Sequence, residues 1–166
     1  MARVPVVDGP QVRTQALPGA RVQVDTPDDA FGAVQAREGE ILKFIGDAML
    51  AIFPLPDGEE GDAYVRAKVN DALDAAADAI KAMELRNREL QAWGLPVLKA
   101  GIALHVGDVM YGNIGAPDRL DFTVIGPAVN EVSRIAAMCR SLDQEILLSS
   151  AFATSAEACA ARLVSV

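Results

Sequence analysis

Lys43 and Asp47 stand four residues apart around Gly46, between two short apolar runs that end at Phe53. Those runs read as the arms of a β-hairpin, with Gly46-Asp47 at its tight turn. On the first arm Lys43 shares a strand face with Ile41 and Ile45, which makes it a half-buried amine. An aspartate at a turn apex can hold Mg²⁺, which takes one or two carboxylates and fills the rest of its shell with water and phosphate oxygens. The same two residues also fit a solvated lysine beside a turn-forming aspartate. Asn130 and Arg134 form a second pair, at i and i+4 on one helical face. The helix that carries them buries Val129, Val132, Ile135, Ala136 and Cys139, so both point away from that apolar face. A guanidinium is a planar, permanently charged fork suited to phosphate, and an asparagine can orient an oxygen. The plainer alternative is a surface arginine with an asparagine near a helix end. Thr123, on the strand just before this helix, offers a hydroxyl able to read a base edge, or is an ordinary β-former.

Other chemistries find little support. His105 is the chain's one histidine and has no nearby Cys or His with which to bind a metal. Nucleophile elbow, Walker loop and dinucleotide fingerprint are all missing from the sequence. Cys139 falls on an apolar helical face and reads as packing.

The elements that must position these residues follow from periodicity. Asp29 to Glu38 reads as a short helix ended by Gly39. Asp62 to Trp93 is the longest helical pattern, with Val65, Val69, Ala72, Ala76, Ile80 and Met83 in one stripe and high alanine density. Leu98 to Val106 alternates as a strand, Gly107-Asp108 reads as a turn, and Val109 to Ile114 and Asp121 to Ile125 follow as strands. Pro127 opens the helix bearing Asn130 and Arg134, which runs to about Ser141. Glu145 to Leu148 is a strand, and Ala151 to about Arg162 a last helix capped by Ser149 or Ser150. This order predicts an α+β sheet with helices packed on one face.

Composition sets the class. The 166 residues are 51% hydrophobic and 23% charged, enough for one folded domain. A formal net charge of −8 disfavours nucleic acid and anionic membrane as partners. No apolar run is long enough for a membrane segment, and two cysteines give no disulfide framework, so the reading is a cytoplasmic domain. Residues 1–28 hold four of the nine prolines and no aromatic residue, and read as a divergent, poorly ordered N-terminal segment, with one strand at most, ahead of a domain over 29–166.

Three blocks then carry a resemblance. Gly39-Glu40-Ile41-Leu42-Lys43-Phe44-Ile45-Gly46-Asp47, Gly101-Ile102-Ala103-Leu104-His105-Val106-Gly107-Asp108-Val109 with Tyr111-Gly112-Asn113-Ile114-Gly115, and Asp121 through Arg134 closely resemble the signature blocks of bacterial class III adenylate/guanylate cyclase catalytic domains. The likeness is continuous from about Phe31. It implies a ferredoxin-like βαββαβ-type sheet and conversion of ATP to 3′,5′-cyclic AMP and pyrophosphate, by in-line attack of the 3′-hydroxyl on the α-phosphate with Mg²⁺ or Mn²⁺ as cofactor. By position it implies Asp47 as a metal ligand, Lys43 and Thr123 as adenine readers, and Asn130 and Arg134 as catalytic residues. Sites of this family form between two chains, so it also implies a homodimer.

Two departures stand beside it. The family opens with a strand ending in the first metal aspartate, followed by two helices. Here Asp8 follows Val4-Pro5-Val6-Val7 but lies only 39 residues before Asp47, a short span for two helices, and Asp25 fits no better. The chain also stops at Val166, before the strands that usually carry a basic residue for the triphosphate. A catalytically inactive homology module that binds nucleotide or mediates dimerisation is therefore the rival reading. A diguanylate-cyclase or polymerase-palm relative would share the βαββαβ core but lacks its expected Gly-Gly-Asp/Glu-Glu-Phe turn.

Overall fold

The computed structural model describes residues 2–8, 27–45, 48–55, 62–116 and 119–156. In chain order the elements are β1 (Ala2–Asp8), α1 (Pro27–Gln35), β2 (Glu40–Ile45), β3 (Ala48–Ile52), α2 (Asp62–Ala92), β4 (Ile102–Ala116), β5 (Arg119–Ile125), α3 (Pro127–Leu142), β6 (Ile146–Leu148) and α4 (Ser150–Ser155). The sheet runs β2-β3-β1-β4-β5, with β6 parallel to the start of β4. Its first four strands are antiparallel neighbours, and with α1 and α2 they make the ferredoxin-like βαββαβ unit.

Within residues 1–28 the described strand is the one that the sequence reading allows. Ala2–Asp8 is a sheet strand lying between β3 and β4, with Val6 opposite both Ile52 and His105. Pro5 is tolerated because pairing with β3 begins only at Val6, so at Pro5 the strand has β4 alone beside it.

The strand reading of 98–114 also changes. Gly107-Asp108 is no turn: β4 is one strand of 15 residues, and both residues pair with β1. Its first half belongs to the central sheet, and its second half, from Met110, pairs with β5 as a projecting hairpin.

The apolar run Met49 to Phe53 is buried at every position, which is the pattern of a strand covered on both faces. Met49, Ala51, Phe53, Ile102 and Leu104 pack with Val34 of α1, Val69, Ala72, Ala76 and Ile80 of α2, and Phe152 of α4. Leu50, Ile52, Ala103 and Val109 pack on the opposite face with Ala128 and Val132 of α3. The helices of the βαββαβ unit thus share one face as expected, whereas α3 covers the other, which strict alternation in the sequence does not announce.

The turn after α1 brings helix and strand into close approach. Glu38 takes a left-handed conformation (φ 58°), and the Gly39 N–H donates to Val34 O at 3.0 Å. A Cβ at Gly39 would lie 2.7 Å from both Phe53 Cζ and Val34 Cγ1, so the position takes no larger residue without movement of the core. Arg37 ties α1 to α2 through Asp78 at 2.6 Å and Asp74 at 3.5 Å, and Lys68 reaches Glu38 at 2.5 Å.

Candidate active site

The start of α3 is built by small residues. Gly126 caps the helix at φ 150°, a conformation that L side chains rarely adopt, and a Cβ there would stand 3.1 Å from Asp108 O. Pro127 follows at the first turn, where no backbone N–H is needed. Beneath this turn Gly107 leaves room that a Cβ would fill, 2.8 Å from Ala128 Cβ and 2.9 Å from His105 Nε2. The His105 ring and the first turn of α3 therefore share the space above Gly107.

With Ala128, Val132 and Cys139 buried, the outer side of α3 is fixed as the exposed one. Asn130 and Arg134 both lie on it, as the spacing predicts. Arg134 pairs with Glu131 at 3.8 Å, the two side chains 79% and 49% exposed. His105 is half-buried, and burial pushes its imidazole below the ordinary value of 6.5, against a smaller opposite influence from Glu131. Its Nδ1 is buried and has no hydrogen-bond partner among the described residues. The sequence reading puts His105 opposite an apolar face; the second helical layer explains why it is covered all the same.

Thr123 occupies β5 opposite Gly112, three residues before Gly126. Lys43 occupies β2 opposite Leu50, just after a bulge between Ile41 and Lys43. That bulge interrupts the simple alternation on which a face shared with Ile41 rests. Strands β2 and β5 approach one another, although they lie at opposite ends of the strand order, so the backbone positions of Lys43 and Thr123 belong to neighbouring elements. Asp47 lies outside the described residues, in the link between Ile45 and Ala48, which pair with each other.

One candidate that spacing disfavours gains from the topology. Asp8 ends β1 opposite Leu50, two residues from Ala48, so β1 terminates at the sheet end where β2 turns into β3. Among the described residues, α1 is the one helix between β1 and β2. No cluster of three metal-ligating residues occurs among the described side chains. The described backbone thus places Asp8 at this end of the sheet. Phe44, Met110 and Ile125 are exposed apolar residues on β2, β4 and β5, and Met110 and Ile125 are opposite each other.

No family model matches the chain. Among curated proteins, it is 35% identical over 119 residues to an adenylate cyclase of Anabaena cylindrica and 30% identical over 118 residues to adenylate cyclase 1 of Rhizobium meliloti. These alignments cover 70% and 71% of this chain but 22% and 17% of those proteins, so it spans about a fifth of their length. Among solved structures, a bacterial light-regulated adenylyl cyclase superposes with a TM-score of 0.77 at 22% identity, over 93% of this chain and 45% of that one. The guanylyl cyclase Cya2 superposes with a TM-score of 0.70 at 24% identity, over 93% and 78%. By fold and by sequence, then, the chain is a class III nucleotide cyclase homology domain. Its structural neighbours act on both purine bases, so the fold does not choose between them.

Proposed function

We propose that this domain is the catalytic part of an adenylate cyclase, converting ATP to 3′,5′-cyclic AMP and pyrophosphate. The observation that carries the reading is the first turns of α3: Asn130 and Arg134 are exposed together on a helix whose opposite side is locked into the core. In the reaction the ribose 3′-hydroxyl gives up its proton to water, its oxygen forms a bond to the α-phosphorus, the bond from that phosphorus to the bridging oxygen breaks, and pyrophosphate leaves. Asn130 orients the ribose, and Arg134 meets the negative charge that develops on the phosphoryl oxygens. Lys43 and Thr123 read adenine by donating to and accepting from its ring nitrogen and amino edge. Asp47, with Asp8 at the end of β1, would hold Mg²⁺ or Mn²⁺, which when bound lowers the cost of charge on the triphosphate and the attacking oxygen.

Each chain holds part of the site in this reading, and the working form is a homodimer. The exposed Phe44 on β2, and Met110 and Ile125 beside the α3 turn, support that partner, since apolar surface next to functional charge suits an interface. None of the described helices is long and apolar enough to cross a membrane. A cytoplasmic setting suits the substrate.

The test begins with purified protein, ATP and Mn²⁺, followed by cyclic AMP. Asp8→Ala and Asp47→Ala are each expected to abolish turnover, and Arg134→Ala to lower it by about a hundredfold or more while leaving a measurable residual rate. Mixing Asp47→Ala with Arg134→Ala chains restores one whole site per mixed dimer, so activity returns. Wild-type protein that binds ATP but forms no cyclic AMP would establish the inactive homology module instead. Binding GTP as tightly as ATP would overturn the roles of Lys43 and Thr123.

A further inference from the structure

We propose that Glu131 is a positioning residue for Arg134, holding its guanidinium back along α3 beside Asn130. The proposal rests on the cyclase reading above for what Arg134 does, and on geometry for how it is held. Helical side chains lean toward the N-terminus, so Arg134 extends over the turn that begins at Asn130, and Glu131 lies on that same turn. The two are 3.8 Å apart, and no other carboxylate lies within ion-pair reach of Arg134 among the described residues. An acidic residue one turn before a basic one is also the favourable order along a helix.

Glu131 is placed by what lies below it. Ala128, one turn earlier, is packed against the sheet over Gly107, with His105 beside it. Glu131 is also the charged group whose field reaches His105. An exposed ion pair adds little to stability. A charge that must meet a developing oxyanion is worth far more when its direction is set before the reaction, because small misplacements cost rate steeply. At 3.8 Å Glu131 makes no hydrogen bond to Arg134, so it biases the direction of the guanidinium by charge and leaves its N–H groups available to a phosphoryl oxygen.

The experiment compares wild type, Glu131→Gln, Glu131→Asp, Arg134→Ala and the Glu131→Gln/Arg134→Ala double variant, with ATP and Mn²⁺. Glu131→Gln is expected to lower kcat by about threefold or more and leave KM within about twofold, as suits an interaction expressed at the transition state. Glu131→Asp should recover most of the loss. In the Arg134→Ala background the Glu131 change should do nothing further. A kcat equal to wild type, or the same fall without Arg134, would overturn the proposal. The Arg134 side-chain Nε–Hε signal, assigned by its absence in Arg134→Ala, gives a readout independent of turnover. It should move in Glu131→Gln. If the wild-type domain makes no cyclic AMP, the cyclase reading fails by itself, and an unmoved Arg134 signal would still refute the contact.

Discussion

Replacing Gly107 by alanine tests how α3 is seated. The added Cβ would come within 2.8 Å of Ala128 Cβ and 2.9 Å of His105 Nε2, where ordinary contact begins at 3.4 Å. Ala128 is part of the helix itself and cannot rotate away, and His105 is wedged against the same turn. The strand and the helix must therefore part by roughly half an ångström, and overpacking of that kind costs about 1–3 kcal/mol. For a domain of this size that is a fall in Tm of about 2–10 °C. Gly101→Ala is the matched control: its Cβ would stand 2.6 Å from Cys139 Cβ, prying α3 from the sheet at the far end of the helix. Both variants should melt earlier by similar amounts. Assayed well below either Tm, Gly107→Ala should lose roughly tenfold or more in kcat, since it lifts the turn that leads into Asn130 and Arg134, while Gly101→Ala should lose much less. An unchanged Tm for Gly107→Ala would refute the packing argument, and equal losses of kcat in both variants would refute the link between that turn and rate.

Three further outcomes follow from the interior. Asp78 is held below the ordinary carboxylate value of 3.8, first by its hydrogen bond from Arg37 and then by that from Lys81. Its contribution is therefore complete above that value and is lost as the pH falls through the lower folded value, so Asp78→Asn should flatten the acid limb of a urea-midpoint profile. His105, the single histidine, should titrate in an NMR experiment with a midpoint below 6.5, because burial disfavours its charged form. Its neutral form supports folding above 6.5, support that fades as the pH drops toward the folded value, and His105→Gln should remove that slope. Asn87 bridges the α2–β4 connection, accepting from Leu98 N at 2.7 Å and donating to Leu98 O at 2.9 Å. Asn87→Ala should cost about 1–3 kcal/mol in chemical denaturation, since it strands a half-buried backbone pair.

Much of the architecture could be read from the chain because its signals were local. The stripe from Val65 to Met83 needs only helical periodicity, and Asp62–Ala92 is the helix it marks. Pro127 and the apolar set from Val129 to Cys139 place α3, and with it the exposed side carrying Asn130 and Arg134. The misreadings concern residues whose reason lies in another element. Gly107 looks like a turn residue, but its missing side chain serves Ala128, twenty-one positions away. The place of Asp8, at the end of β1 opposite Leu50, is a matter of strand pairing that no local signal carries. The resemblance supplied the roles of Lys43 and Thr123, which neither residue type nor spacing could assign.

The continuity of β4 has a mechanical consequence. Fifteen residues at about 3.3 Å each make a beam of roughly 50 Å, clamped by β1 along one half and by β5 along the other. The two clamps meet without a gap, at Val109 and Met110, so the strand has no free joint about which the hairpin can swing. A force applied to the outer hairpin is delivered to the central sheet rather than absorbed on the way. In the dimer proposed above, motion around a nucleotide would then fall to the two chains tilting against each other, with β4 as the lever arm that turns a small rotation at the core into a larger displacement at its tip.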